Sequence, residues 1–161
     1  MIQPNGIDRV THSFDYGGAQ NKTEMPRVGL NMQLSSSLEN VEWYGLGPHE
    51  NYIDRKASAF MGSYSAKVKD MKFDYGRPQE NGYRTQTKQL SITDQNGVGL
   101  QFMGLPEFSF AVHNNTTDDY DDGAWKNSKR KDALGNPKNS HLNGIKPRAV
   151  SYTHLTLPTN A

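Results

Sequence analysis

Apolar and polar side chains alternate strictly from Arg27 to Leu34: Val28, Leu30, Met32 and Leu34 face one way, Arg27, Gly29, Asn31 and Gln33 the other. Period two over that length predicts a strand with one face on a core. Ser35-Ser36-Ser37 ends it, and Leu38-Glu39-Asn40 leads into a short run through Val41 and Trp43. Upstream, the Asn5-Gly6 turn signal precedes Ile7, Val10, His12 and Phe14, an imperfect strand. Downstream, Lys56 to Met61 reads as extended or irregular; Tyr64, Ala66 and Val68 then alternate against Ser65, Lys67 and Lys69. From Thr85 to Thr93, Thr85, Thr87, Gln89, Ser91 and Thr93 share one predicted face, with Gln86, Lys88, Leu90 and Ile92 on the other. Asp94-Gln95-Asn96-Gly97 predicts a hairpin turn returning through Val98, Leu100 and Phe102. Met103-Gly104-Leu105-Pro106 predicts a break, after which Phe108, Phe110 and Val112 alternate again. Several strands joined by Asn-Gly or Pro turns, with no helical period, predict an all-β fold, an antiparallel sandwich rather than a closed barrel.

Composition agrees with this. Hydrophobic residues make up 34% of the chain, and Gly 15 and Pro 8 accompany many Asn, Ser and Thr, the mark of a turn-rich β protein. The mean hydropathy of −0.85 would also suit disorder, but Phe 6, Tyr 8 and Trp 2 supply anchors for a core. A formal charge of +1 leaves no broad field for nucleic acid or an anionic membrane, and the longest basic tract is Lys129-Arg130-Lys131. With no cysteine there are no disulfides, no thiolate chemistry and no cysteine metal sites. The expected compartment is cytoplasmic, with a periplasmic or secreted parent as the alternative. No run approaches the ~20 apolar residues that span a bilayer, and Met1-Ile2-Gln3-Pro4-Asn5-Gly6 is not a signal peptide.

The character changes beyond Asn114. Asp118-Asp119-Tyr120-Asp121-Asp122-Gly123 is acidic, yet counting a calcium loop from Asp118 puts Tyr120 and Lys129 at ligand positions, so it reads as a solvated loop. Lys126 to Leu142 is polar with few anchors and reads as a long surface insertion. Asn21-Lys22-Thr23 matches the glycosylation pattern but lacks a secretory context. The last residues read as foreign. Val150 to Thr159 back-translates to GTC TCT TAT ACA CAT CTG ACG CTG CCG ACG, which resembles the reverse complement of a transposon-based sequencing adapter. Residues 149–161 are therefore expected to be translated adapter, and 1–148 the authentic part of a gene cut short.

Candidate chemistry gathers at Trp43-Tyr44-Gly45-Leu46-Gly47-Pro48-His49-Glu50-Asn51-Tyr52-Ile53-Asp54-Arg55 and at Arg77-Pro78-Gln79-Glu80-Asn81-Gly82-Tyr83-Arg84. Glycine and proline fix these backbone paths. Glu50, Asp54 and Glu80 could supply the paired carboxylates of sugar cleavage, about 5–9.5 Å apart. Each also has an arginine near in sequence, so loop-fixing ion pairs are the commoner explanation. His49 could serve as a base or ligand but has no spaced partner histidine. Trp43, Tyr44, Tyr52 and Tyr83 could stack on sugar, or pack as core and loop support. The chain contains no Gly-x-Ser-x-Gly, Walker or dinucleotide motif.

Those two stretches, with Met25-Pro26-Arg27-Val28-Gly29 before them and Phe108-Ser109-Phe110 and Thr116-Thr117-Asp118-Asp119 after, resemble the C-terminal β-sandwich of the large β-galactosidases of glycoside hydrolase family 2. The resemblance runs from about Ile2 to Arg148. It implies a galactose mutarotase-like antiparallel sandwich, the last of five domains, packed on a catalytic (β/α)₈ barrel of the same polypeptide or of a separate large chain. It implies retaining hydrolysis of terminal β-D-galactose residues from lactose-like β-galactosides, and a homo-oligomeric parent. In that family the nucleophile and acid/base glutamates, the magnesium and a possible sodium belong to the barrel. No catalytic, cofactor or metal residue is then expected here; Trp43 to Arg55 and Arg77 to Arg84 are family signatures. The family's closing segment, whose tryptophan lines the sugar subsite, has no counterpart in the chain, and Met1 reads as an internal methionine. The fragment alone is expected to be inactive. A free-standing carbohydrate-binding sandwich and a mutarotase-like epimerase are the alternatives.

Overall fold

The computed structural model describes residues 6–11, 29–73, 75 and 81–115, and the backbone of 150–156. Arg77, Pro78, Gln79 and Glu80, the glycosylation-like triplet, the acidic run and the polar insertion lie outside the described residues. Among the described residues six strands form one sheet: β1 (Gly29–Ser35), β2 (Asn40–Gly47), β3 (Phe60–Lys67), β4 (Arg84–Thr93), β5 (Gly99–His113) and β6 (Val150–Thr156). Every pairing is antiparallel, in the order β1-β6-β5-β4-β2-β3. The all-β antiparallel class expected from the alternation is the class observed.

One face of this sheet carries the core. The register aligns Trp43 with Leu90 and Leu90 with Phe102, and Val41 with Ile92 and Ile92 with Leu100. Val41, Trp43, Leu90, Ile92, Phe108, Phe110 and Val112 are buried on this face, and Leu34, Tyr64, Ala66 and Phe102 pack around them. A 3₁₀ turn over Val68–Asp70 folds Val68 and Met71 onto the same cluster. On the opposite face the register sets Glu42 beside Ser65 and Ser91, and Tyr44 beside Ser63 and Gln89, a polar layer. These residues line a shallow depression of about 410 Å³.

Three expectations need correction. Residues 7–11 carry no strand; the remainder of the expected Ile7 to Phe14 strand lies outside the described residues. The face of β4 does not alternate unbroken: Thr85 and Thr87 are buried, and so are Leu90 and Ile92. The register shifts between Arg84 and Thr87 and again between Thr87 and Gln89, with Gln86 at φ 53, and this irregularity reverses which parity faces the core. Finally, Met103 to Pro106 does not end a strand. β5 runs on to His113, and the pairs Gln89↔Met103 and Thr87↔Phe108 put two steps of β4 against five of β5, so the surplus protrudes as a bulge.

β6 lies between β1 and β5. Its Val-Ser-Tyr-Thr-His-Leu-Thr run alternates and is rich in β-forming residues, which suffices for a strand whatever its origin.

Candidate functional site

The first signature loop leaves β2 at Gly47 and returns to the sheet edge at β3; the second ends by entering β4. Because β2 and β4 are neighbours, the two loops meet at the same end of the sheet. Gly47–Pro48 is a cis peptide, and the chain then turns through a short bridge between Tyr52 and Arg55, closed by Tyr52 N–H to Arg55 O at 3.1 Å and Arg55 N–H to Tyr52 O at 3.0 Å.

Asn51 is fully buried and joins the loops. Its backbone N–H donates to Tyr83 O at 2.7 Å. Its side-chain oxygen accepts from the Thr85 N–H at 3.0 Å and the Thr85 hydroxyl at 2.6 Å. Its Nδ2 donates to His49 O and Leu46 O at 3.3 and 3.4 Å. One amide thus serves backbone groups of both loops from a buried position, where the Thr85 N–H would otherwise be left unpaired.

Glu50 makes a second link. Oε2 accepts the Gly82 N–H at 2.7 Å, and Oε1 accepts from Arg55 Nη2 at 2.6 Å. Arg55 Nη2 also donates to the Tyr75 hydroxyl at 2.6 Å, and the guanidinium lies 5.2 Å from the centroid of the Tyr52 ring. Tyr52 in turn stacks on Tyr83 at 5.4 Å and 21°. Gly82 has φ +71, and a Cβ there would lie 2.6 Å from His113 Cε1 and 2.7 Å from Met71 O, so the Asn81-Gly82 turn requires glycine twice over. Asn81 is buried too, its Oδ1 accepting the Phe73 N–H at 3.2 Å.

Arg84 lies beneath both loops, 4% exposed. Nη1 donates to Gly82 O at 2.6 Å and Met71 O at 3.3 Å, Nη2 to Pro48 O at 3.4 Å. The guanidinium sits 5.2 Å from the centroid of the Trp43 ring. Burial lowers its pKa to about 10, an effect opposed by the Glu50 carboxylate and by Tyr52. Arginine suits this place because it can serve several carbonyls at once and stack on a ring.

The arrangement holds loops; it does not present reactive groups. Both Glu50 oxygens are engaged, and the side chain is 11% exposed. Arg55 pairs with Glu50 rather than with its sequence neighbour Asp54, which is exposed. His49 Nε2 shares a 2.9 Å hydrogen bond with Ser58 Oγ at the surface. Trp43 is 3% exposed, donates to Leu46 O at 3.1 Å and packs on Tyr64 and Phe110, which makes it core rather than a sugar platform. Gly45 is held against β4, where a Cβ would lie 2.8 Å from Thr87 Cα. Tyr44, 43% exposed, stands apart on the polar face. Among the described residues no three His, Asp or Glu side chains converge as metal ligands. Sequence reasoning missed Asn51 as the pin and Arg84 as the buried cation. The available signal was their adjacency to Gly-Pro and Asn-Gly turns, where backbone groups need side-chain partners.

The family model for the β-galactosidase small chain matches residues 2–155. The chain belongs to the β-galactosidase small-chain family. Its relatives within that family include the β-galactosidase of Halalkalibacterium halodurans, 35% identical over 107 residues, 66% of this chain and 11% of that protein. The β-galactosidase of Yersinia enterocolitica is 44% identical over 85 residues, 53% of this chain and 8% of that protein. That of Streptococcus thermophilus is 31% identical over 111 residues, 68% and 11%. The chain thus spans about a tenth of the length of the curated relatives it matches. The family-2 resemblance seen in the two loops is borne out by these matches, which set this small-chain domain in a larger enzyme. Among the described residues no helix is long and apolar enough to cross a membrane.

Proposed function

We propose that the chain is a supporting, non-catalytic part of a retaining β-galactosidase that removes terminal β-D-galactose from lactose-like β-galactosides. The observation that carries this reading is the state of Glu50: its two oxygens are spent on the Gly82 N–H and the Arg55 guanidinium. A retaining glycosidase needs two carboxylates facing one sugar about 5–5.5 Å apart, one to protonate the leaving oxygen and one to attack. Glu50 is tied down, and Asp54 is exposed on a turn. The engagement of Glu50 supports assigning both catalytic acids to the rest of the parent, in its barrel, as the family resemblance implies. Magnesium, and sodium if used, are assigned there too, as the family resemblance implies. The parent is taken to be a homo-oligomer with the barrel on the same polypeptide or on a separate large chain. Residues 149–161 are taken as translated adapter, because Val150 to Thr159 reads as one frame of that adapter's translation.

The test has two arms. The purified 161-residue chain should give no turnover of a chromogenic β-galactoside, and the flanking source DNA should encode a barrel upstream and a tryptophan-containing closing segment in place of residues 149–161. Turnover by the isolated chain would overturn the supporting role.

A further inference from the structure

The surplus in β5 is a built feature. Between the pairs Gln89↔Met103 and Thr87↔Phe108 the strand leaves the ladder and returns, and Gly104 makes this possible. A Cβ at Gly104 would lie 2.5 Å from Phe108 Cδ1 and 2.5 Å from Pro106 O, so the loop folds back tightly on its own base. The base is anchored, since Phe108 is 4% exposed within the core. The apex is apolar and lies in solvent: Leu105 is 95% exposed and Met103 74%. Burying a leucine side chain is favourable, and here that gain goes unused on a backbone shaped to lift the side chain away from its own core. An apolar tip carried on an anchored base is the form of a docking element, and bulges commonly re-aim a side chain in this way.

We infer that the Met103 to Glu107 bulge is a docking knob whose Leu105, flanked by Met103, inserts into an apolar socket on the remainder of the parent polypeptide. This rests on the reading of the chain as part of a larger enzyme. The occupant follows from length: the matched relatives are about ten times longer than the part aligned, so most of the parent is available to cover the tip. The loop carries a single charge, at Glu107, so the socket is matched by shape and apolarity rather than by ion pairing.

The test is photo-cross-linking in the parent enzyme with p-benzoylphenylalanine in place of Leu105, an exposed position that tolerates the larger ring. The expected result is an intrachain cross-link mapped by mass spectrometry to a peptide outside residues 1–161. A cross-link between two copies, seen as a dimer-sized band, would overturn the assignment of the occupant. Absence of any cross-link would overturn the knob. Leu105→Asp provides the second measurement: it should leave the thermal midpoint of the isolated chain unchanged and lower that of the parent by several degrees. Equal midpoints in the parent with and without the substitution would contradict the proposal. β-Galactoside turnover by the unsubstituted parent is assayed alongside, so failure of the enzyme reading is distinguished from failure of the knob.

Discussion

At the scale of single residues, the two signature loops owe their shape to buried polar side chains that finish backbone hydrogen bonding. Asn51 is the clearest case, with both ends of its amide engaged at 0% exposure. Asn51→Ala would leave the Thr85 N–H and hydroxyl without their partner, while the Leu46 carbonyl keeps the Trp43 indole N–H. Each unsatisfied buried group costs about 1–3 kcal/mol, so denaturant unfolding should show a loss of about 2 kcal/mol or more. Arg84 answers a similar need with a charge. Arg84→Lys should be nearly as damaging as Arg84→Ala, because one ammonium cannot span the Gly82, Met71 and Pro48 carbonyls. Its pKa of about 10 in the fold lies below its value in the unfolded chain, so above about pH 10 the unfolded chain holds more protons and stability rises with pH. Below about pH 9 both states are protonated, and unfolding curves of wild type and Arg84→Met should keep a constant separation. Above pH 10 the wild type should gain on the variant. None of this was legible beforehand. The sequence shows an Asn after a Glu and an Arg after a Tyr, whereas burial of either depends on β2 and β4 being neighbours.

At the scale of elements, alternation predicted strands well where pairing is regular. Leu30, Met32 and Leu34 alternate with Asn31 and Gln33 in β1 as the pattern says. The Asp94 to Gly97 turn forms as predicted, with the Asp94 carboxylate accepting the Asn96 and Val98 N–H groups at 2.8 and 2.9 Å and held below the usual carboxylate range by those bonds. Irregular pairing defeated the pattern. Gln86 takes φ 53 without being glycine, and that departure in β4 leaves no mark in the sequence. In β5 the mark exists but points two ways, since Gly104 and Pro106 can end a strand or make a bulge. Only the apolar run resuming at Phe108 on the same ladder decides for the bulge. Gly104→Ala should therefore destabilise the chain by about 1–3 kcal/mol through overpacking against Phe108. Loss of protection at amides 103–110 in hydrogen exchange would locate the damage.

At the scale of the whole molecule, the family was legible because two loops carry dense, spaced motifs; what those loops do was not. An acid, a histidine, an amide and several rings within thirteen positions look like a reaction centre as text. In three dimensions Glu50 meets Arg55 and the Gly82 N–H, Arg55 lies over Tyr52, Asn51 binds Thr85, and Arg84 donates to the carbonyls of Pro48 and Gly82, so these side chains tie the two loops together. Such a clasp gives a domain a fixed end, suited to being held against a larger body. The central claim is that Glu50 fastens rather than reacts, and Glu50→Gln in the full parent enzyme tests it most directly. Glutamine keeps an acceptor for the Gly82 N–H but gives up the charge that Arg55 meets. The predicted result is a thermal midpoint lowered by a few degrees, with kcat for a β-galactoside within about tenfold of wild type. A fall in kcat of roughly 10²–10⁴-fold or more, the scale of losing a general acid or base, with an unchanged midpoint would contradict it.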